Sequence, residues 1–340
     1  MIANVIARSV KTKQSPVEQE IAMPPPAARN DNTNMITMPT TLPLSTLRAA
    51  FGDRLQENVP LAPYTSTRIG GPADALISAT SADELAETVS RLWELNVPYA
   101  ILGGGSNVLV SDRGVRGVVV LNRAKAVHFD KGSRPRVRAE AGVVIANLAR
   151  RAASHELAGL EWAAAVPGTV GGAVYGNAGA FGGDMAGSLI HAELLTERGR
   201  ESWPVEKLEY GYRTSVLKRQ VLKVVVLSAE LRLEHSTKEV VSVKINEFSE
   251  RRKATQPPGA SMGSMFKNPP GDFAGRLIEA AGLKGTRIGT AEISPVHANF
   301  FINHGQTKAE DVRALVNLAQ KMVAEKFGVN LELEIELLGE

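Results

Sequence analysis

The strongest constraint on this chain is a five-residue loop, Gly103-Gly104-Gly105-Ser106-Asn107, set between two short apolar runs. Before it, residues 99–102 read as a strand that starts after Pro98, and after it Val108-Leu109-Val110 read as another. Glycine lets the backbone approach a ligand closely and take positive φ, so successive amides can converge on an anion. Ser106 and Asn107 add side-chain donors. A doubly wound dinucleotide site needs a strand, a G-x-G-x-x-G turn and then a helix. Here the chain returns to a strand and lacks that spacing, so the doubly wound reading is excluded. No Lys-Ser/Thr pair follows the glycines, which excludes a Walker loop.

Two further stretches share this character. One is Thr65-Ser66-Thr67-Arg68-Ile69-Gly70-Gly71-Pro72-Ala73-Asp74. The other is Pro167-Gly168-Thr169-Val170-Gly171-Gly172-Ala173, followed by Gly176-Asn177-Ala178-Gly179-Ala180. One such stretch would be read as a tight turn. Three of them, two ending in Asn or Ser, favour a phosphate-bearing cofactor without naming it.

The rest of the pattern is mixed. Ser81-Ala82-Asp83-Glu84 reads as a capping box, with Leu85, Val89 and Leu92 on one helical face. Strands are expected over 118–121 and 136–140, with a helix over 147–154. Residues 192–196 and 201–205 form a hairpin about the turn Glu197-Arg198-Gly199-Arg200, and 221–231 is a further strand. A helix over 238–252 should bury Val241, Ile245 and Phe248, and another over 273–281 closes at Gly282. Thr307-Lys308-Ala309-Glu310 reads as a second capping box. It opens a helix that buries Val312, Leu315, Val316, Ala319, Met322, Val323 and Phe327. Leu331, Leu333, Ile335 and Leu337 alternate with Glu332, Glu334 and Glu336 as a closing strand. Hairpins with scattered helices indicate an α+β fold. Residues 1–44, with three consecutive prolines and no aromatic, read as a disordered extension. Domains are expected over 45–122, 123–235 and 236–340.

Composition narrows the function. There is no cysteine in 340 residues, which removes disulfides, iron–sulfur clusters, thiol nucleophiles and a cysteinyl flavin link. A reducing compartment, the cytoplasm, suits such a chain. The net charge is only +3, its excess is spread, and aromatics are 5% of residues, so nucleic acid is not an expected partner. No apolar run nears the roughly 18 residues of a membrane span. His297 and His304 are seven apart, which matches no zinc signature, so no metal is expected.

The reactive candidates cluster in three places. Gly211-Tyr212-Arg213 offers a guanidinium that can grip a carboxylate with two hydrogen bonds, or form a surface ion pair. Gly263-Ser264-Met265-Phe266-Lys267-Asn268-Pro269 places a hydroxyl near a lysine on a proline-stopped loop, either as a proton donor or as an ordinary turn serine. Glu334 stands between Glu332 and Glu336, both read as a solvated strand face.

The ordered set of T-S-T-R-I-G-G-P-A-D, G-G-G-S-N, P-G-T-V-G-G-A-V-Y-G-N-A-G-A, G-Y-R, G-S-M-F-K-N-P, S-P-V-H-A-N-F-F-I-N and L-E-L-E-I resembles the UDP-N-acetylenolpyruvoylglucosamine reductase family over roughly residues 45–340. The glycine loops are shared with wider vanillyl-alcohol-oxidase-type flavoproteins, while the G-S-x-F-K-N-P and L-E-x-E elements are more specific. The resemblance implies a vanillyl-alcohol-oxidase-type FAD-binding fold of two subdomains, with a C-terminal α+β substrate domain. It implies non-covalent FAD held by Thr65, Arg68, Gly103, Gly104, Gly105, Ser106, Asn107, Pro167, Gly168, Thr169, Gly171, Gly172, Asn177, Ala178 and Gly179. It further implies that NADPH reduces the flavin, which passes hydride to C3 of the enolpyruvyl group, in peptidoglycan precursor synthesis. Ser264 is then the proton donor, and Arg213 and Glu334 stabilise the enol-like intermediate. Tyr212, Lys267, Asn268 and His297 contact substrate, and the enzyme is expected to be a monomer.

One departure stands out. The stretch before Arg252 lacks the tyrosine-bearing insertion that one subclass folds over its substrate, so the chain resembles the shorter subclass. Arg251 or Arg252 is a candidate for the substrate diphosphate, or a solvated helix end. Two other readings fit the glycine loops: an FAD oxidase of hydroxy acids or alcohols, and a flavin- or nucleotide-binding module without catalysis.

Overall fold

The computed structural model describes residues 42–220 and 222–339, so the expected extension lies outside them up to residue 41. Described structure opens with the helix Leu44–Phe51. Three layered regions follow, and the mixed architecture agrees with the α+β expectation.

The first region is a four-stranded sheet, ordered Leu55–Pro60, Pro72–Ala79, Val115–Asn122 and Tyr99–Leu102. The last three strands run parallel and the first is antiparallel. The helix Ala82–Glu94 buries Leu85, Val89 and Leu92 as its periodicity requires. Its cap is only half of the expected box. The Ser81 hydroxyl accepts the Glu84 N–H at 3.1 Å, whereas the Glu84 carboxylate takes the N–H and hydroxyl of Thr80, both at 2.7 Å.

The second region is a five-stranded antiparallel sheet, ordered Gly199–Pro204, Leu189–Thr196, Val224–Arg232, Arg136–Glu140 and Val127–Asp130. Thr196 pairs with Gly199, so the hairpin turn is just Glu197-Arg198, tighter than the four residues expected. The helix Ile145–Ser154 buries Leu148, Ala149 and Ala152 on the shared core. The helix Lys238–Thr255 buries Val241 and Ile245 and runs three residues past Arg252. Phe248 is only half-buried, because it stacks on Phe181 at 4.5 Å instead of entering the core.

The third region packs the helices Ala274–Ala280 and Ala309–Phe327 with the strands Arg287–Ile288, Ala291–Ile293 and Phe301–Asn303. The second expected capping box is not formed. Thr307 is buried with its hydroxyl 2.8 Å from that of Thr290, and Lys308 is the cap residue. The Asp112 carboxylate instead accepts the N–H groups of Ala309 and Glu310 at 2.8 and 2.9 Å. A carboxylate supplied from the first region thus satisfies the helix start, where it also meets the positive end of the dipole.

The closing strand is shorter than its alternation suggests. Only Glu336–Leu338 joins a sheet, parallel to Val108–Val110. Leu331 and Ile335 are buried, but Leu337 is 53% exposed. Residues 332–334 bond to the loop at 265–267 instead: Glu334 N–H donates to the Met265 carbonyl and Lys267 N–H to that of Glu332, each at 2.9 Å.

Candidate active site

A cavity of about 740 Å³ lies where the three regions meet, lined by both glycine loops and by Arg213, Ser264 and Glu334. One wall is backbone. A Cβ at Gly103 would lie 2.6 Å from the Thr169 hydroxyl, and one at Gly168 would lie 2.7 Å from the Ser106 hydroxyl. Gly105 has φ +60, and its Cβ would sit 2.2 Å from the Tyr64 carbonyl oxygen. The loops are therefore pressed together as only glycine permits. Among the described residues no acceptor meets the N–H groups of Gly103, Gly104, Gly105 or Ser106. Unpaired amides in a glycine-lined cradle suit a pyrophosphate, and on this observation the residues present fit FAD.

Gly103, Gly104, Gly105, Ser106, Asn107, Pro167, Gly168, Thr169, Gly171, Gly172, Ala178 and Gly179 all line the cavity. Thr65, Arg68 and Asn177 do not. Thr65 is buried and holds its own turn, its hydroxyl 2.9 Å from the Ile69 carbonyl. Asn177, buried at the left-handed end of the helix Val170–Gly176, donates to the Gly211 carbonyl at 3.0 Å and accepts from Ala186 N–H at 2.9 Å. It thereby anchors the turn that carries Arg213. Arg68 is exposed with φ 57. Asn107 spends its side-chain amide on the Glu334 carbonyl, at 3.1 Å.

A second wall is made of side chains. Arg213 has φ 54 within the 211–214 turn, closed by Gly211 N–H to the Thr214 carbonyl at 3.1 Å. Its Nε donates to Glu334 Oε1 at 2.7 Å and its Nη2 to the Gly179 carbonyl at 2.8 Å. The expected surface alternative for Arg213 does not apply, since both partners of this pair are mostly buried. Burial pushes the Glu334 carboxyl above its ordinary range, against the lowering pull of Arg213 and, more weakly, Lys218 and Lys267.

Ser264 reaches the cavity because its loop is the middle strand of an irregular three-stranded ribbon. On one side Met265 N–H donates to the Asn299 carbonyl at 2.8 Å; on the other, Met265 receives Glu334 N–H. Buried Asn299 completes the join, accepting Phe266 N–H at 2.9 Å and donating to the Phe266 carbonyl at 2.8 Å. The Ser264 hydroxyl has no hydrogen-bond partner among the described residues.

Tyr212, Lys267, Asn268 and His297 lie outside the cavity lining. Tyr212 is exposed beneath the Arg213 guanidinium, 5.5 Å from its ring centre. Lys267 pairs with Glu332 at 3.2 Å, and Asn268 Oδ1 accepts Ala274 N–H at 3.1 Å, opening a helix. His297 is half-buried, Nδ1 accepting Asn299 N–H at 3.2 Å, and burial lowers its pKa.

Sequence reasoning missed other residues of the wall. Tyr175, Lys218, Gln256 and Glu336 line the cavity, as does Arg252. Glu336 fits the solvated-face reading only in part: its side chain is 43% exposed, yet Oε1 is buried and pairs with Lys218 at 2.5 Å. Lys218 had one usable signal, its place three residues after Ser215, whose hydroxyl caps the helix Val216–Arg219. Arg252 is half-buried and donates to the Ala165 carbonyl, so it is not a solvated helix end. It also lines an adjoining cavity of about 470 Å³.

Comparison with known proteins agrees with this geometry. The profile of the UDP-N-acetylenolpyruvoylglucosamine reductase C-terminal domain matches residues 254–338, and that of an FAD binding domain matches residues 73–202. The chain is 46% identical over 290 residues to the UDP-N-acetylenolpyruvoylglucosamine reductase of Chloroflexus aggregans, covering 84% of this chain and 97% of that one. It is 42% identical over 307 residues to the Chloroflexus aurantiacus enzyme of the same name, covering 88% and 100%. The crystal structure of the Thermus caldophilus reductase (MurB) superposes with a TM-score of 0.72 at 37% identity, covering 84% of this chain and 99% of that one. The chain belongs to the UDP-N-acetylenolpyruvoylglucosamine reductase family.

Proposed function

We propose that this protein reduces the enolpyruvyl ether of UDP-N-acetylglucosamine to UDP-N-acetylmuramate for peptidoglycan synthesis, with non-covalent FAD as cofactor and NADPH as reductant. The observation that carries this reading is one cavity lined both by a glycine cradle and by Arg213, Ser264 and Glu334. FAD, when bound, supplies two-electron chemistry between NADPH and the substrate.

The chain's own residues supply the rest. Reduction at C3 leaves negative charge at C2, delocalised into the substrate carboxylate. Arg213 presents a fixed guanidinium to that charge. Glu334, held at 2.7 Å by Arg213 and with its carboxyl raised by burial, stands beside the same developing charge. Ser264 Oγ–H delivers the proton to C2, and its hydroxyl, bonded to no protein group among the described residues, is available to do so. Arg252, half-buried at the junction of the two cavities, suits the diphosphate of the sugar nucleotide. Tyr212, Lys267, Asn268 and His297 are assigned to substrate on the resemblance alone, as are Thr65, Arg68 and Asn177 to FAD.

The same reading divides the chain near residue 122, where a strand of the first sheet ends, and near residue 235, although the helix Lys238–Thr255 packs on the core of the second region. It makes the enzyme a cytoplasmic monomer, testable by fractionation and light scattering. Among the described residues no helix is long and apolar enough to cross a membrane.

The test is anaerobic. NADPH should bleach the yellow holoenzyme, and the enolpyruvyl substrate added afterwards should restore the colour in proportion to its amount. A flavin that NADPH bleaches but the substrate leaves colourless defeats the proposal.

A further inference from the structure

The Lys218–Glu336 pair has no place in the chemistry so far, yet it stands beside Glu334. Lys218 projects from the helix Val216–Arg219 into the cavity wall with only 17% of its side chain exposed. Its Nζ lies 2.5 Å from Glu336 Oε1 and 3.5 Å from the Glu334 carbonyl oxygen. Glu336 Oε1 is buried and makes no aligned hydrogen bond, so the ammonium charge is its compensation. Backbone contacts tie the same segment to the glycine loop: Glu336 N–H donates to the Asn107 carbonyl at 2.9 Å, and Asn107 Nδ2 returns a bond to the Glu334 carbonyl.

We infer that Lys218 and Glu336 are positioning residues for Glu334, an internally neutral pair that ties its segment to the helix Val216–Arg219 and fixes the net charge beside its carboxyl. The inference rests on the proposed role of Glu334. The charged and titratable groups around that carboxyl come from five segments. Arg213 comes from the 211–214 turn, Lys218 from its helix, Lys267 from the Ser264 loop, Glu336 from the same strand, and Tyr175 from the helix Val170–Gly176. Arg213 and Glu334 already form a pair, and Lys267 is engaged by Glu332. Lys218 and Glu336 then cancel each other, and removing either one leaves a single unbalanced charge next to the segment that carries Glu334.

Opposite signs follow. Glu336→Gln frees the ammonium charge and should lower the titration midpoint of Glu334. Lys218→Met frees a carboxylate and should raise it. Each shift is expected at about one pH unit or somewhat less, the lower end for a neighbouring charge, because the Glu336 side chain is 43% exposed and water screens it in part. The double variant should return close to wild type.

The measurement is a 13C NMR titration of the holoenzyme labelled at glutamate, with the Glu334 resonance assigned by its loss in Glu334→Gln. This readout needs no turnover, so its failure is distinct from a failure of the proposed reaction. The pH dependence of flavin reoxidation by substrate should move with it. Thermal melting and flavin absorbance establish that each variant is folded. Midpoints that stay in place while rates fall at every pH overturn the inference, as do shifts of the same sign in both single variants. If Lys218→Met does not fold, Glu336→Gln decides alone, and an unmoved or raised midpoint overturns the inference.

Discussion

The two walls of the cavity are built on opposite principles. The glycine wall consists of main chain from two loops about sixty residues apart, shaped by the absence of Cβ atoms. The other wall consists of side chains delivered by three distant segments that bond to one another. On the proposed reading the first wall serves a feature common to many cofactors, a diphosphate, and the second serves one reaction. Generality here resides in backbone and specificity in side chains, so the walls should fail differently when altered.

The largest effect is expected at Gly105. In Gly105→Ala the residue keeps φ +60 and its Cβ would strike the Tyr64 carbonyl. Strain and overpacking together should cost roughly 2–6 kcal/mol. Thermal melting and the 450 nm absorbance of the purified protein should show a destabilised chain with little flavin. Unchanged flavin content would show that the loop accommodates a Cβ against the Tyr64 carbonyl.

Ser264→Ala should do the reverse. Flavin content and NADPH bleaching should stay normal, while reoxidation by substrate slows by about 10²- to 10⁴-fold, the usual share of a general acid. Stopped-flow absorbance separates the two half-reactions, and near-normal reoxidation removes Ser264 from the mechanism.

A smaller effect concerns stability and pH. The Glu334 carboxyl is raised above the ordinary value of 4.5 by burial. The native state therefore holds this proton more tightly than the unfolded chain does, and the contribution is whole below pH 4.5. It is lost as pH rises through the higher native value. Glu334→Gln lacks this loss, so its melting temperature relative to wild type should climb as pH increases from about 4. A difference that is flat or falls with pH contradicts the burial argument.

The smallest effect tests a contact remote from both walls. Asp112→Ala removes the carboxylate that receives Ala309 and Glu310, at a cost of about 1 kcal/mol. Denaturant unfolding should register it while flavin binding and both half-reactions stay as in wild type.

The contrast also explains what could be read from the sequence. The strand Tyr99–Leu102 was legible to the residue, because Pro98 and Gly103 bracket a short apolar run. The helix Ala309–Phe327 was legible in its buried face but not in its cap, since Asp112 lies almost two hundred residues away. Arg213, Ser264 and Glu334 were named from motifs, and the structure gathers them around one cavity. Glu336 was misread for a physical reason. Alternation sorts residues onto two faces, but it cannot say whether the polar face meets water or a cavity. Thr65 and Asn177 show the converse: polar residues inside a binding motif whose side chains bond to nearby main chain. Lys218 offered only its place after the Ser215 cap, because its partner is more than a hundred residues distant and no local pattern records such a pairing.

The join between the strands Val108–Val110 and Glu336–Leu338 also bears on how the enzyme comes into being. The bond from Asn107 to Glu334 spans 227 positions of the chain. At about 5–20 residues per second of synthesis, the glycine loop leaves the ribosome ten seconds or more before the strand that completes its wall. Contacts of such long range are also the slowest to close in folding. During that interval the exposed edge at residues 108–110 is a vacancy in a nascent protein, open to mispairing. On the proposed reading, catalytic competence therefore waits until the segment carrying Glu334 docks.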